Sequence, residues 1–273
     1  MGSVPKMSDP NSTPRVKNLD IQFASARLKD FNVAKERAEE FLRARTADPS
    51  QRDFATVYSN AEYVAFYEFA LGYPAEKVRQ TFAEAATAAL EMFYLRGTME
   101  CRVDQPGTED YSMTNSRDCL KAICMASIAG KYTLVQQLAE RMRDPPKATY
   151  IGPNSEVCTS NQQSLAYAVK HLIQNNLESV DTELRRISNR KGEQQVAATA
   201  KMVRGMAQKS DALFNEGLLE LLFFHRKGVR REDDPQRYFS LAGLGLSALA
   251  LRDGLVSKSG LPQDDYLPLE LLC

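Results

Sequence analysis

The chain has 273 residues, 43% of them hydrophobic, enough for one large core or two modest ones. Its 35 basic and 35 acidic side chains cancel, so no global field draws it to nucleic acid or to anionic lipid. Five cysteines, an odd number with scattered spacing, point to reduced thiols in a cytoplasmic setting rather than to a disulfide framework.

Residues 1–17 (MGSVPKMSDPNSTPRVK) are rich in Pro, Ser and Asn and predict a disordered tail. They are not a basic segment followed by an apolar one, so no signal peptide is read there. From Ile21 onward Phe31, Ala34, Ala38, Phe41 and Leu42 form one helical stripe. Asp48-Pro49 reads as an N-cap with proline at the first helical position. The helix that follows carries Phe54, Val57, Ala61, Val64, Ala65 and Leu71, and stops at Gly72-Tyr73-Pro74. Pro74 opens a third helix with Val78, Phe82, Ala85, Ala89, Met92 and Phe93, ended by Gly97; Cys101 to Tyr111 is read as a loop. Thr114 or Ser116 is expected to cap a fourth helix ended by Gly130. A shorter one from about Tyr132 to Met142 stops at Asp144-Pro145-Pro146.

In the second half, helices are expected at 161–175, 177–189, 193–208, 211–227 and 236–252, and Pro268 forbids an unbroken helix in the tail. The most apolar stretch, Tyr238 to Leu251, is too short to span a bilayer and reads as a buried helix. Runs of β-branched residues in strand alternation are lacking, so little or no β-sheet is expected. The joints fall irregularly and the tetratricopeptide signature is absent. The fold class is therefore all-α: a bundle or irregular stack of about ten helices arranged as helical hairpins. Residues 18–273 form a single all-helical domain, with room for a subdivision near 147–160, the longest irregular section.

Catalytic and ligand-binding constellations are sparse. The histidines are His171 and His225, far apart, with no metal-binding helix motif. Cys119 and Cys124, five apart, point about 140° away from each other on a helix. No nucleophile–base–orienter set is visible. His225, near a helix C-terminus, would cap carbonyls as an imidazolium. Gly243-Leu244-Gly245-Leu246-Ser247-Ala248 has the GxGxxA form of a dinucleotide turn, but polar, helix-like residues precede it where a strand is required. The glycines are instead expected to permit close helix–helix approach. Glu216 and Glu220, one turn apart, and Glu68 are the carboxylates on which an unusual helical active site would have to centre. The simpler expectation for the pair is a narrow polar ridge paired with arginine or facing solvent, with a cationic partner required if Glu68 is buried. The basic runs Arg185 to Lys191 and His225 to Arg231 lack aromatic interleaving, so neither predicts a nucleic-acid surface. No cofactor, no metal and no enzymatic activity is expected.

Three blocks carry a family resemblance: Ala212-Leu213 with Glu216-Gly217-Leu218-Leu219-Glu220-Leu221-Leu222, Asp234 with Tyr238 to Leu246, and the closing Asp265-Tyr266-Leu267-Pro268-Leu269-Glu270-Leu271-Leu272. Together with Phe82 to Thr98 and Asp118 to Tyr132, they resemble the immunity protein 49 family, all-α immunity proteins of bacterial polymorphic-toxin systems. The resemblance implies a cytoplasmic protein that binds and neutralises a cognate toxin domain, and it implies no catalytic residues. It leaves a homodimer open. An α-helical adaptor with a non-toxin partner is the competing reading. An inhibitor of a basic toxin needs an acidic face, which in a neutral chain has to be local. The candidates are Glu109-Asp110, Glu232-Asp233-Asp234, and Asp264-Asp265 with Tyr266 and Glu270.

Overall fold

A computed structural model describes residues 15–16, 19–44, 51–95, 98–101, 115–142, 159–188, 190–228 and 234–273. The Asp48-Pro49 signal, Gly97, the loop after Cys101, the Asp144-Pro145-Pro146 stop and most of the 147–160 joint lie outside these residues. The helices are α1 Ile21–Ala44, α2 Gln51–Ala70, α3 Ala75–Met92, α4 Ser116–Ile128 and α5 Tyr132–Arg141 in the first half. The second half holds α6 Ser160–Ile173, α7 Leu177–Arg186, α8 Gln194–Ala207, α9 Asp211–Gly228 and α10 Leu241–Arg252. Among the described residues the protein is all-α apart from one short antiparallel pair, β1 Tyr94–Leu95 with β2 Thr98–Cys101.

Local signals set most boundaries. In α3 the residues Val78, Phe82, Ala85, Ala89 and Met92 are all buried, as their spacing predicts. That helix ends at Met92 rather than running to Gly97, because the chain passes into β1 and the strand pair takes up the backbone groups. Asn115 caps α4 in place of Thr114 or Ser116. Its side-chain oxygen accepts from the Asp118 N–H at 3.0 Å, and its amide donates to the Asp118 carboxylate at 2.8 Å. Asn and Ser are comparable caps, and the acidic residue three positions on selects Asn115. Thr159 and Gln162 close a reciprocal capping box that starts α6.

The expected helix 236–252 is two elements. Pro235–Tyr238 is a 3-10 turn capped by Asp234, and Ser240 caps α10 by accepting from the Gly243 N–H at 3.2 Å. Between them Phe239 is extended, which inserts its ring among Phe66, Phe69 and Phe82. Burial of that aromatic outweighs helix continuity.

Helices α4 and α10 form the centre. Gly243 through Ala250 are buried without interruption on α10, which packs on α4, α8 and α9. A side chain at Gly245 would meet the Cβ of Cys124 on α4 and stand 2.6 Å from its Cα. The glycines thus serve helix–helix approach, as expected. Gly217 does the same between α9 and α8, where a Cβ would stand 2.7 Å from the Met202 backbone nitrogen. The pairs α2–α3, α6–α7 and α8–α9 surround this centre, and α4 and α5 pack on both α3 and α6. One core cluster therefore joins elements on both sides of residues 147–160.

Helix α1 lies outermost, against α2. Ala24 and Leu28 are its buried residues, whereas Phe41 from the expected stripe is 42% exposed. Arg15, inside the segment expected to be disordered, donates its N–H to the Ala70 carbonyl at 3.1 Å and sets its guanidinium over Phe69.

Candidate functional site

The acidic candidates do not form one face. Glu109, Asp110, Glu232 and Asp233 lie outside the described residues. Asp234, Asp264 and Tyr266 converge on the C-terminal turn of α9. Asp264 pairs with Arg226 at 2.7 Å and accepts from the Tyr266 N–H at 2.9 Å; Tyr266 packs against His225 with ring centroids 5.3 Å apart. Asp265 is exposed beside them. Glu270 is elsewhere, pairing with Arg15 at 3.6 Å. Asp264 is thus committed to holding the C-terminal segment onto α9, and Asp234 to capping a turn.

His225 differs from its expected role. It is only 8% exposed, and burial lowers its pKa to about 4 against the opposing charges of Asp234 and Asp264 and a hydrogen bond with the Gln236 backbone. The ring is neutral at pH 7 and is not a cationic cap. It lines a cavity of about 430 Å³ with Arg117, Lys121, Gln195 and Gln236. The charges there are mutually paired: Lys121 bonds to the buried Glu62 at 3.3 Å, Gln236 donates to the same carboxylate, and Arg117 lies 3.6 Å from Asp118.

A larger cleft, about 720 Å³, runs between α7, α8 and α9. Leu184 and Ile187 form one wall, Ala197 and Ala200 the floor, and Leu219 and Phe223 the other wall. Leu219 and Phe223 are one turn apart and stay 54% and 47% exposed. Large apolar side chains left half in water beside a groove mark interaction surfaces. Sequence reasoning passed over this cleft. The available signal was that α9 is apolar nearly all round, more than one buried face requires.

The carboxylates considered for catalysis are engaged structurally. Lys201 bonds both Glu216 at 2.9 Å and Glu220 at 2.6 Å, so the ridge faces solvent as expected, but its cation is a lysine and not an arginine. Glu68 is buried, accepts from the Thr81 hydroxyl at 2.7 Å and has Lys77 at 3.6 Å; burial raises its pKa. It lies on α2, remote in sequence from the other two. Cys119 and Cys124 are buried free thiols, and burial alone pushes Cys124 up to about 12. Of the basic runs, Arg185 pairs with Asp181, and Arg186 with Glu183 at 2.6 Å. Among the described residues no three His, Cys, Asp or Glu side chains gather as metal ligands, and no helix is long and apolar enough to cross a membrane.

The family described as Immunity protein 49 matches residues 71–271, most of the chain and every element from α3 to the C-terminal 3-10 turn Leu269–Leu271. The chain belongs to that family. The match takes in the α7–α8–α9 cleft, the His225 cavity and the central α4–α10 contact, and leaves α1 and α2 outside it. No curated protein matches this immunity-family chain, and no solved structure does.

Proposed function

We propose that this chain binds and neutralises a bacterial toxin domain as a stoichiometric protein inhibitor, acting in the cytoplasm and turning nothing over. Membership of the immunity family is the observation that carries the reading. The packed α4–α10 centre supports it, since a tight inhibitor gains affinity from a surface that does not have to be ordered on binding. So does the open cleft beside α9, which offers the apolar anchor sites that dominate protein interfaces. The same cleft also suits a helical adaptor with a non-toxin partner, the second reading.

Co-expression with the toxin domain encoded by the adjacent gene separates the two. The expected outcome is survival of the host cells and a 1:1 complex of nanomolar dissociation constant or tighter, within the range of tight inhibitors. Unprotected cells, with no complex on co-purification, would overturn the toxin reading and leave the adaptor.

A further inference from the structure

We infer that the α7–α8–α9 cleft receives an amphipathic helical segment of a protein partner, one that presents apolar side chains a turn apart with a carboxylate at each end. The inference rests on the reading that this chain works by binding a protein, and it adds where and by what chemistry.

The cleft is open, and its walls are aliphatic and aromatic: Leu184 and Ile187 from the end of α7, Leu219 and Phe223 from α9. Helix-in-groove recognition uses apolar anchors at i and i+4, and Leu219 and Phe223 provide side chains at that spacing to interleave with them. The ends of the cleft set the charge. Arg204 is exposed on α8, next to Gly205, where a Cβ would touch the backbone of Phe214 in the first turn of α9. Lys227, in the last turn of α9, is exposed and lies over the Phe223 ring at 4.1 Å. Neither cation has a carboxylate within ion-pair distance among the described residues. Counting from the first turn of α9 to Lys227, the two stand about 20 Å apart along the helix, roughly four turns of a partner helix. Midway, Lys201 is shared by Glu216 and Glu220, so a third carboxylate there would be repelled. The complement is acidic at both ends, apolar along one face and free of carboxylates between. The His225 cavity lacks this character because its charges are already paired with one another.

The probe is a helix-stapled peptide of about 18 residues with leucines at i, i+4, i+7 and i+11 and two glutamates at each end. A scrambled peptide of the same composition is the control, and binding to the full chain is read by fluorescence anisotropy. The patterned peptide is expected to bind at least tenfold tighter than the scrambled one. Phe223→Glu and Leu219→Glu each weaken it about thirtyfold, the loss expected of a buried apolar anchor. Arg204→Gln with Lys227→Gln removes its salt dependence. Phe41→Glu on α1 leaves it unchanged. All of these side chains are at least partly in water, so unchanged thermal unfolding shows that the variants fold. Equal affinity of the two peptides, or no loss in Phe223→Glu, would overturn the inference.

The toxin domain from the adjacent gene gives a second readout. If it binds the wild type and the cleft variants equally, the toxin reading stands and the cleft assignment fails. If it does not bind at all while the patterned peptide does, the cleft assignment stands and the toxin reading fails. Light scattering closes the remaining case: a wild-type dimer that Phe223→Glu dissolves would mean that a second copy fills the cleft, overturning the partner assignment.

Discussion

Replacing Gly245 by alanine sets two opposing effects against each other at the centre of the molecule. Alanine is the better helix former by about 1 kcal/mol. Its methyl group, however, would stand 2.6 Å from the Cα of Cys124 and 2.9 Å from its Sγ, where carbon atoms prefer about 3.5–4.0 Å. Relief requires α10 and α4 to part by about 1 Å. Helix α4 is wedged against α3, α5 and α6, and the tight packing of an interior means such a shift breaks contacts elsewhere. Overpacking costs about 1–3 kcal/mol, and the upper end applies where the opposing atom is backbone. The expected net loss is about 2 kcal/mol, which lowers Tm by roughly 4–8 °C in a chain of this size. Circular dichroism during thermal and urea unfolding measures both quantities. Adding Cys124→Ala gives little rescue, because it removes Sγ and leaves Cα and Cβ in place. Gly254→Ala is a control of a different kind: its φ is +69° with nothing within 4 Å of the added Cβ, so only the backbone penalty of about 1 kcal/mol applies. A Gly245→Ala protein that unfolds at or above the wild-type temperature would refute the close-contact argument.

Two other predictions concern buried ionisable groups. The depressed His225 pKa, about 4, means the unfolded chain takes up that proton first as the pH falls. The stability it supports is complete above about pH 6.5, declines between there and pH 4, and is lower by about 3 kcal/mol at the bottom of the window. Urea unfolding across that range should show a shallower pH slope in His225→Gln than in the wild type, and identical slopes would contradict the burial of the ring. The Cys124 thiol, pushed up to about 12 by burial, should resist iodoacetamide at pH 8 in the folded protein while the exposed Cys273 is alkylated. Peptide mapping by mass spectrometry checks this, and comparable labelling of both cysteines in the native state would be inconsistent with the packed α4–α10 contact.

Helix positions were legible in the sequence because they depend on neighbours three and four residues away. Val78, Phe82, Ala85, Ala89 and Met92 predict α3, and all five are buried on it. The glycines of α10 could be assigned to close packing from the polar run that precedes them, and Gly245 bears this out. The family was legible as well, from blocks spread along the C-terminal half. Boundaries were less so: Asn115 rather than its neighbours caps α4, and Phe239 breaks the last long helix. Phe239 does so because its ring has partners on α2 and α3, more than 150 residues earlier.

By itself, then, the sequence determined that the chain is a set of amphipathic and all-apolar helices joined by glycine and proline, and which family it belongs to. The tertiary structure alone decided which side of each helix is left in water. On α9, which is apolar nearly all round, Leu218 and Leu222 are covered by neighbours while Leu219 and Phe223 are not. It also decided that Asp234, Asp264 and Tyr266 gather around a neutral His225 while Glu270 goes to Arg15. Periodicity is a property of one helix, whereas burial, charge pairing and a depressed pKa depend on atoms that distant segments bring within a few ångströms.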